Sequence, residues 1–413
     1  MMSKSETMRD FFCDMHVHIG ATSRGTPVKI TASRKLTLES IIRESLSRKG
    51  MDMVCVVDCA APGVLGDIRR LVSEGQLCQH SDGGFLHRDQ LAVIMGSEVE
   101  TVEPHGGVSH HVSVFPDLKT ISEFSRVMSR YISNMELSSQ RARLRAGELY
   151  DVTKATGGIL IPAHVFTPHK SLYGNAGRRM SQVIDREKDA IIAVELGLSA
   201  DTSIADHLEE LAGVTFLSNS DAHSTQKIAR EYNIIKMQRP CFKEFVLALH
   251  RRAGRRVVAN VGMDPRLGRY HRTYCLQCDR VQTDPPPVLD CRFCGAGGKE
   301  VVRGVYDRIR EIGDYDSPRH PSHRPPYRYQ VPLMFIPGMN IRTMDYLMER
   351  FGSEMAILNL ATDAEIRQAL SGEMARNLID ARNGKLKIDS GGGGNHGRLK
   401  KREVKYDQLS LFT

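Results

Sequence analysis

Residues 10–262 predict an α/β fold built on a largely parallel sheet that closes into a barrel. Strand-like apolar runs alternate with helix-like segments at the rhythm of βα units. The runs are numerous enough to favour closure over an open sheet. Clusters of His, Asp and Glu stand at the ends of these runs, and the carboxyl ends of parallel strands share one face.

The strand-like runs are, in order, FFCDMHVHI (11–19), MDMVCVVD (51–58), QLAVIMGSEV (90–99), GVSHHVSVF (107–115) and GGILIPAHV (157–165). AIIAVELGL (190–198), GVTFLSNSDAH (213–223) and NIIKM (233–237) follow. Helices are expected over LTLESIIRESLSRKG (36–50), KTISEFSRVMSRYISNM (119–135) and the Arg-rich 136–157. Near Gly262–Tyr270 the texture turns loop-like and rich in Pro and Cys. A helix, GVYDRIREIGD, comes next, and 314–332, rich in Pro, His and Arg, reads as a connector or extended surface segment. Helical character returns over 340–382. SGGGGNHG (390–397) reads as a flexible loop before a charged tail. The division expected is 1–265, 266–303, a mainly helical 304–398, and a flexible tail over 399–413.

A chain of 413 residues with 41% hydrophobic content is long enough for more than one core. No run approaches the length of a membrane span, and the first residues lack the apolar core of a secretion signal. The nine cysteines form two CxxC pairs plus five scattered thiols, a usage that fits a reducing, cytoplasmic setting. The net charge is +8, and residues 251–330 hold 16 Lys and Arg against 9 Asp and Glu. Most of these cations are Arg, which pairs with phosphate bidentately, so a phosphate polymer is the expected substrate.

Two residues apart on a strand, His16 and His18 face the same side. Asp221 and His223 repeat that spacing late in the chain, with Glu98, the His110–His111 pair and His164 between. Neutral imidazoles and carboxylates meeting in one cleft bind divalent metals. Cys275-x2-Cys278-x12-Cys291-x2-Cys294 carries the spacing of a tetrahedral four-thiolate site, so one structural Zn2+ is expected there.

The HxH, Glu, His and DxH series resembles the polymerase-and-histidinol-phosphatase (PHP) superfamily of metal-dependent phosphoesterases, whose fold is a distorted β/α barrel. VELGLSAD (194–201), LSNSDAHS (217–224), AREYNIIKM (229–237), PAHVFTPHKSLYG (162–174), GVYDRI (304–309) and PPYRYQVPL (325–333) resemble endonuclease Q. That family cuts DNA beside deaminated bases, and the likeness runs along nearly the whole chain. The fold expected is therefore α/β: a distorted PHP-type β/α barrel, a small four-cysteine zinc-binding module and a mainly helical C-terminal domain.

The resemblance places catalytic metal ligands on His16, His18, Glu98, His111, His164, Asp221 and His223, holding two or three divalent ions (Mg2+, Mn2+ or Zn2+). Neighbouring strand residues face opposite sides, so only one of His110 and His111 should enter the cleft; His111 is the expected one. Glu195 is a further acid or a hydrogen-bond acceptor. Many relatives carry a histidine near the turn that here reads VVDCAAPG; this chain has Cys59 and Ala60 there, which leaves Asp58 as the only candidate ligand for a third ion. A metal-activated water would attack phosphorus on the 5′ side of the lesion. Reading the base requires flipping it out of the duplex. Thr167, Lys170, Ser171 and Tyr173 are candidates for that pocket.

QLSLF near the end (Gln408, Leu409, Ser410, Leu411, Phe412) matches the peptide with which bacterial proteins dock on the replicative sliding clamp. The partners expected are damaged double- or single-stranded DNA and that clamp, with no membrane, and the chain a monomer. Alternatives are a PHP phosphatase for small monoesters, a non-enzymatic clamp-associated factor, and a 3′–5′ exonuclease.

Overall fold

β1 (Arg9–Val17) shows how the core is laid out. Cys13 and Met15 point into the barrel, where they meet Met53, Cys55, Ala92, Ile94, Val112, Val114, Ile161, Ala193 and Leu217. Its other face packs toward the helices outside. The computed structural model describes residues 7–187 and 189–386, with the backbone of 388–389 and 398–399.

The ring runs from β1 through β2 (Met53–Val56), β3 (Leu91–Val102), β4 (Val108–Phe115), β5 (Ile159–Pro162), β6 (Ala193–Glu195) and β7 (Thr215–Leu217). β1 pairs with β2, and β2 with β3, in parallel. β4 runs antiparallel to both β3 and β5. Val165 N donates to Glu195 O at 2.9 Å, joining the segment after β5 to β6, which lies parallel to β7. The chain after β7 returns to β1 through the parallel bridge Val17–Ala222, closing the ring. The expected barrel is present. Its sheet is mixed rather than largely parallel, because the turn after β3 is too short for anything but a hairpin.

Outside the ring, β8 (Tyr232–Met237) and β9 (Arg256–Gly262) extend the sheet from β1 in antiparallel fashion. Buried amides bind this extension to β7. Asn233 Nδ2 donates to Ser218 O at 2.9 Å, and Asn260 Nδ2 to Phe216 O at 2.9 Å. They satisfy carbonyls that no strand reaches.

Two expectations hold only in part. The Arg-rich segment is helical only over Ala146–Ala155. Its first part instead runs along β3, where Glu100 N donates to Gln140 O and Ala142 N to Glu100 O. The supposed connector 314–332 contributes a strand, Tyr327–Tyr329, parallel to β9, so the sheet extends beyond residue 265. Much of it is exposed, as expected of a surface segment, yet it is firmly anchored. Arg324 pairs with Asp206 at 2.9 Å, both side chains 1% exposed, and its guanidinium lies 3.5 Å from the centre of the Phe216 ring. Buried Glu354 reaches Lys49 at 2.6 Å and ties the C-terminal helices to the barrel. Those helices are Ile341–Phe351, Asp363–Ala369 and Gly372–Arg382, within the expected range.

Among the described residues, no helix is long and apolar enough to cross a membrane. The glycine segment 390–397 and Gln408–Phe412 lie outside the described residues.

Candidate active site

A β-bulge in β1 creates the floor of the cleft. The register with β2 shifts between Asp14 and Val17, so β1 carries one extra residue there. Before the bulge the odd residues face inward; after it His16 and His18 do. Such an insertion re-aims every side chain beyond it.

Both imidazoles are then held by carboxylates on Nδ1. His16 Nδ1 lies 2.8 Å from Glu195 Oε2, itself an acceptor from Asn219 Nδ2 at 3.0 Å. His18 Nδ1 lies 3.1 Å from Asp58. The two Nε2 atoms are left 3.3 Å apart, facing Glu98 and Asp221. A carboxylate on one ring nitrogen orients the other toward a metal. Burial disfavours the imidazolium of His16, yet Glu195, Asp221 and Glu98 outweigh it and raise its pKa to about 10. So much negative charge around histidine is what a cation site requires.

The second half of the cleft corrects the choice between the paired histidines. His110 shares the inward parity of Val112 and Val114 and enters the cleft; His111 does not. His110 Nδ1 lies 3.0 Å from Glu98 Oε1 and its Nε2 3.2 Å from Glu100 Oε2. His111 Nε2 instead meets Ser109 Oγ at 2.8 Å. Burial, then the neighbouring His110 and His164, push the His111 pKa down to about 3. β4 runs against its neighbours, so its beginning, rather than its end, lies at the mouth.

His164 Nε2 completes this group at 3.3 Å from Glu98 Oε1. The backbone at His164 has φ +30, and a Cβ at Gly197 would lie 2.9 Å from the His164 Cβ, so glycine is required there. Asp221 is likewise at positive φ, +45, with Arg230 Nε donating to Ser220 O at 2.6 Å just before it. The His223 ring lies tilted against His18, ring centres 4.5 Å apart.

The donors fall into two groups, His16–His18–Asp221 and Glu98–His110–His164, each with ligand atoms within 4.8 Å of one another. Nitrogen and carboxylate donors in this number fit divalent ions. Asp58 is not placed as a ligand. Its Oδ1 and Oδ2 both face His18 Nδ1, and Oδ2 also accepts from Ile19 N at 2.5 Å. Glu195 lines the cleft but is engaged by His16 and Asn219.

The cleft holds about 510 Å³, and cations surround its acidic floor: Lys29, Lys170, Lys227, Arg230 and Arg269. Thr167 and Lys170 line it as expected. Tyr173 and Ser171 do not. Tyr173 is fully buried and stacks on Phe166 at 5.2 Å, while Ser171 Oγ donates to Thr167 O at 2.5 Å and accepts from Gly174 N. Tyr270 and His169, edge to face at 5.7 Å, stand at the cleft wall instead. Sequence reasoning missed Lys29, Ser139, His169 and Tyr270. They come from loops whose approach to the mouth leaves no periodic signal.

The four cysteines converge as their spacing predicts. Cys275 and Cys294 sulfurs are 3.6 Å apart, Cys278 and Cys291 3.5 Å. Sulfurs bound tetrahedrally at ~2.3 Å stand roughly 3.8 Å apart, so the cluster fits one zinc. Short antiparallel strands Tyr274–Cys275, Arg280–Val281 and Val301–Val302 frame it. Asp307, fully buried, accepts from Thr273 N and Val288 N and pairs with Arg272, fixing the module to helix Val305–Ile312. Arg272 is thereby committed to the fold, unlike exposed Arg280, which lies over Phe293.

Paired nitrogen–carboxylate groups at the mouth of a closed barrel make this a protein with a candidate divalent-metal centre. No family model matches the chain. YqxK, an uncharacterised protein of Bacillus subtilis, is 39% identical over 396 residues, 95% of this chain and 100% of the relative. An uncharacterised protein of Methanocaldococcus jannaschii is 32% identical over 252 residues, 57% of this chain and 31% of its own length. The crystal structure of the lesion-specific endonuclease PfuEndoQ from Pyrococcus furiosus superposes with a TM-score of 0.80 at 29% identity, covering 96% of each chain. Endonuclease Q complexed with a 27-mer duplex carrying an abasic lesion also gives 0.80 at 29% identity, over 97% of this chain and 100% of that one. The chain belongs to the endonuclease Q family.

Proposed function

We propose that this protein is a DNA-repair endonuclease that hydrolyses the phosphodiester 5′ of a deaminated base (uracil, hypoxanthine or xanthine) and at abasic sites. The observation that carries the reading is the whole-length likeness to lesion-specific endonuclease Q. The cation-rimmed, acid-floored cleft supports it.

Divalent ions (Mg2+, Mn2+ or Zn2+) held by His16, His18, Asp221 and His223 and by Glu98, His110 and His164 would make hydroxide available near neutral pH and offset phosphate charge. Glu195 and Asp58 hold the two leading imidazoles in orientation. Lys170, Lys227 and Arg230 draw the DNA backbone to the rim. The flipped base enters beside Thr167 and Lys170, with Tyr270 and His169 offering rings for stacking. The zinc module and the C-terminal helices between Ile341 and Arg382 carry the flanking duplex.

A cleavage panel tests this. Duplexes with a single uracil, hypoxanthine, xanthine or abasic site are expected to be nicked 5′ of the lesion, leaving a 3′ hydroxyl, with undamaged duplex intact. Turnover of an aromatic phosphate monoester with every duplex intact would overturn the reading in favour of a small-molecule phosphatase.

Gln408–Phe412 are proposed to dock on the sliding clamp. Deleting residues 408–413 is expected to abolish association with the clamp on a sizing column while sparing cleavage of a short duplex. Equal clamp binding by the truncated protein would discard the tail's role.

A further inference from the structure

One lysine stands among the carboxylates. Lys29 follows a segment pinned to the end of β1, with Val28 N donating to Gly20 O and Lys29 N to Ile19 O, each at 3.0 Å. Its side chain is 12% exposed. Nζ lies 2.9 Å from Glu98 Oε2 and 2.5 Å from Ser139 Oγ. Ser139, at φ +50, also donates to that same Glu98 oxygen.

The arrangement divides Glu98 in two. Oε1 faces His16, His110 and His164. Oε2 faces His18, Lys29 and Ser139. An ammonium has three N–H bonds and accepts none. Glu98 and Ser139 take two, and Lys29 lines the cleft where the third is available.

We propose that Lys29 is a built-in positive charge of the catalytic centre, whose remaining N–H donates to a non-bridging oxygen of the scissile phosphate. Holding Glu98 and Ser139 fixes the ammonium in advance, so it stabilises charge as it grows on that oxygen. Its role differs from that of the rim cations. Lys170, 55% exposed and paired with Glu100 at 2.9 Å, stands at the rim, whereas Lys29 sits at the floor beside the donors. No proton moves and no bond to Lys29 forms. The inference rests on phosphodiester hydrolysis in this cleft, and not on which base is recognised.

The test uses Lys29→Met, which keeps length and burial, and Lys29→Arg, which keeps charge. Single-turnover rates are read on a uracil duplex and on bis(p-nitrophenyl) phosphate, with duplex Kd and metal content per chain measured alongside. Lys29→Met is expected to lose about 100-fold or more in rate on both diesters. Its duplex Kd should stay within about threefold and its cleft metal content should equal wild type, with Lys29→Arg recovering part of the rate. An unchanged rate would make Lys29 a bystander. A loss of cleft metal in proportion to the lost rate would make it a brace for Glu98 only. Either result overturns the proposal. A wild-type protein that cuts the simple diester but spares the uracil duplex would overturn the lesion reading while the Lys29 comparison still stands.

Discussion

His110→Ala is expected to lower single-turnover cleavage of a lesion duplex by about a thousand-fold, equivalent to ~4 kcal/mol of transition-state stabilisation. His111→Ala is expected to stay within about tenfold of wild type. The contrast rests on one strand. His110 stands with Val112 and Val114 on the inward face, 3.0 Å from Glu98, while His111 is enclosed on the other face against Ser109. Removing His110 opens the Glu98–His110–His164 group, so cleft metal content should fall with the rate. His111→Ala should act on stability instead, lowering Tm by leaving a cavity with activity per folded molecule retained. Equal rate losses in both variants, or loss in His111→Ala alone, would refute this assignment.

The second large effect is expected at the four cysteines. Cys275→Ser should remove one zinc per chain and unfold the module, because structural zinc supplies ~10–16 kcal/mol to small domains. Limited proteolysis should then cut within 266–303, while the barrel core stays resistant. The loss should spread to helix Val305–Ile312, since buried Asp307 would lose the Thr273 and Val288 amides it accepts from. Brief chelation should separate the two kinds of site. It is expected to abolish cleavage reversibly, with Mg2+ or Mn2+ restoring it, while the thiolate zinc leaves more slowly. Zinc content unchanged in Cys275→Ser would exclude the four-thiolate site.

Much of the centre was legible because chemistry and spacing coincide. The HxH pair survives as one ligand group together with Asp221 of the DxH pair, and two CxxC pairs survive as one four-sulfur cluster. The β4 pair shows where legibility ends. GVSHHVSVF is buried on both faces, with His110, Val112 and Val114 on one and Ser109, His111, Ser113 and Phe115 on the other. Period-two alternation groups His110 with the valines, but with both faces buried it does not by itself say that this face is the inner one. Strand direction was easier to read, because the five residues 103–107 between β3 and β4 allow only a hairpin and so reverse β4. Tyr173 looked like a pocket residue by its position after His164, but stacking on Phe166 consumes it. Residues 314–332 read as a surface segment by composition, and much of the segment is exposed. Arg324 is nonetheless buried, because Asp206 and the Phe216 ring together compensate its charge.

From the residues alone follow an α/β barrel with metal donors at its mouth, a four-thiolate site and a phosphate-seeking charge. These are properties of residue type and local spacing, which survive whatever the chain does elsewhere. Only the tertiary structure decides which donors meet. The bulge in β1 turns His16 and His18 inward, the reversed β4 delivers His110, and the loops bring Lys29 and Ser139 to Glu98. Each of these depends on contacts between segments far apart in the chain, and such contacts leave no periodic trace in either partner.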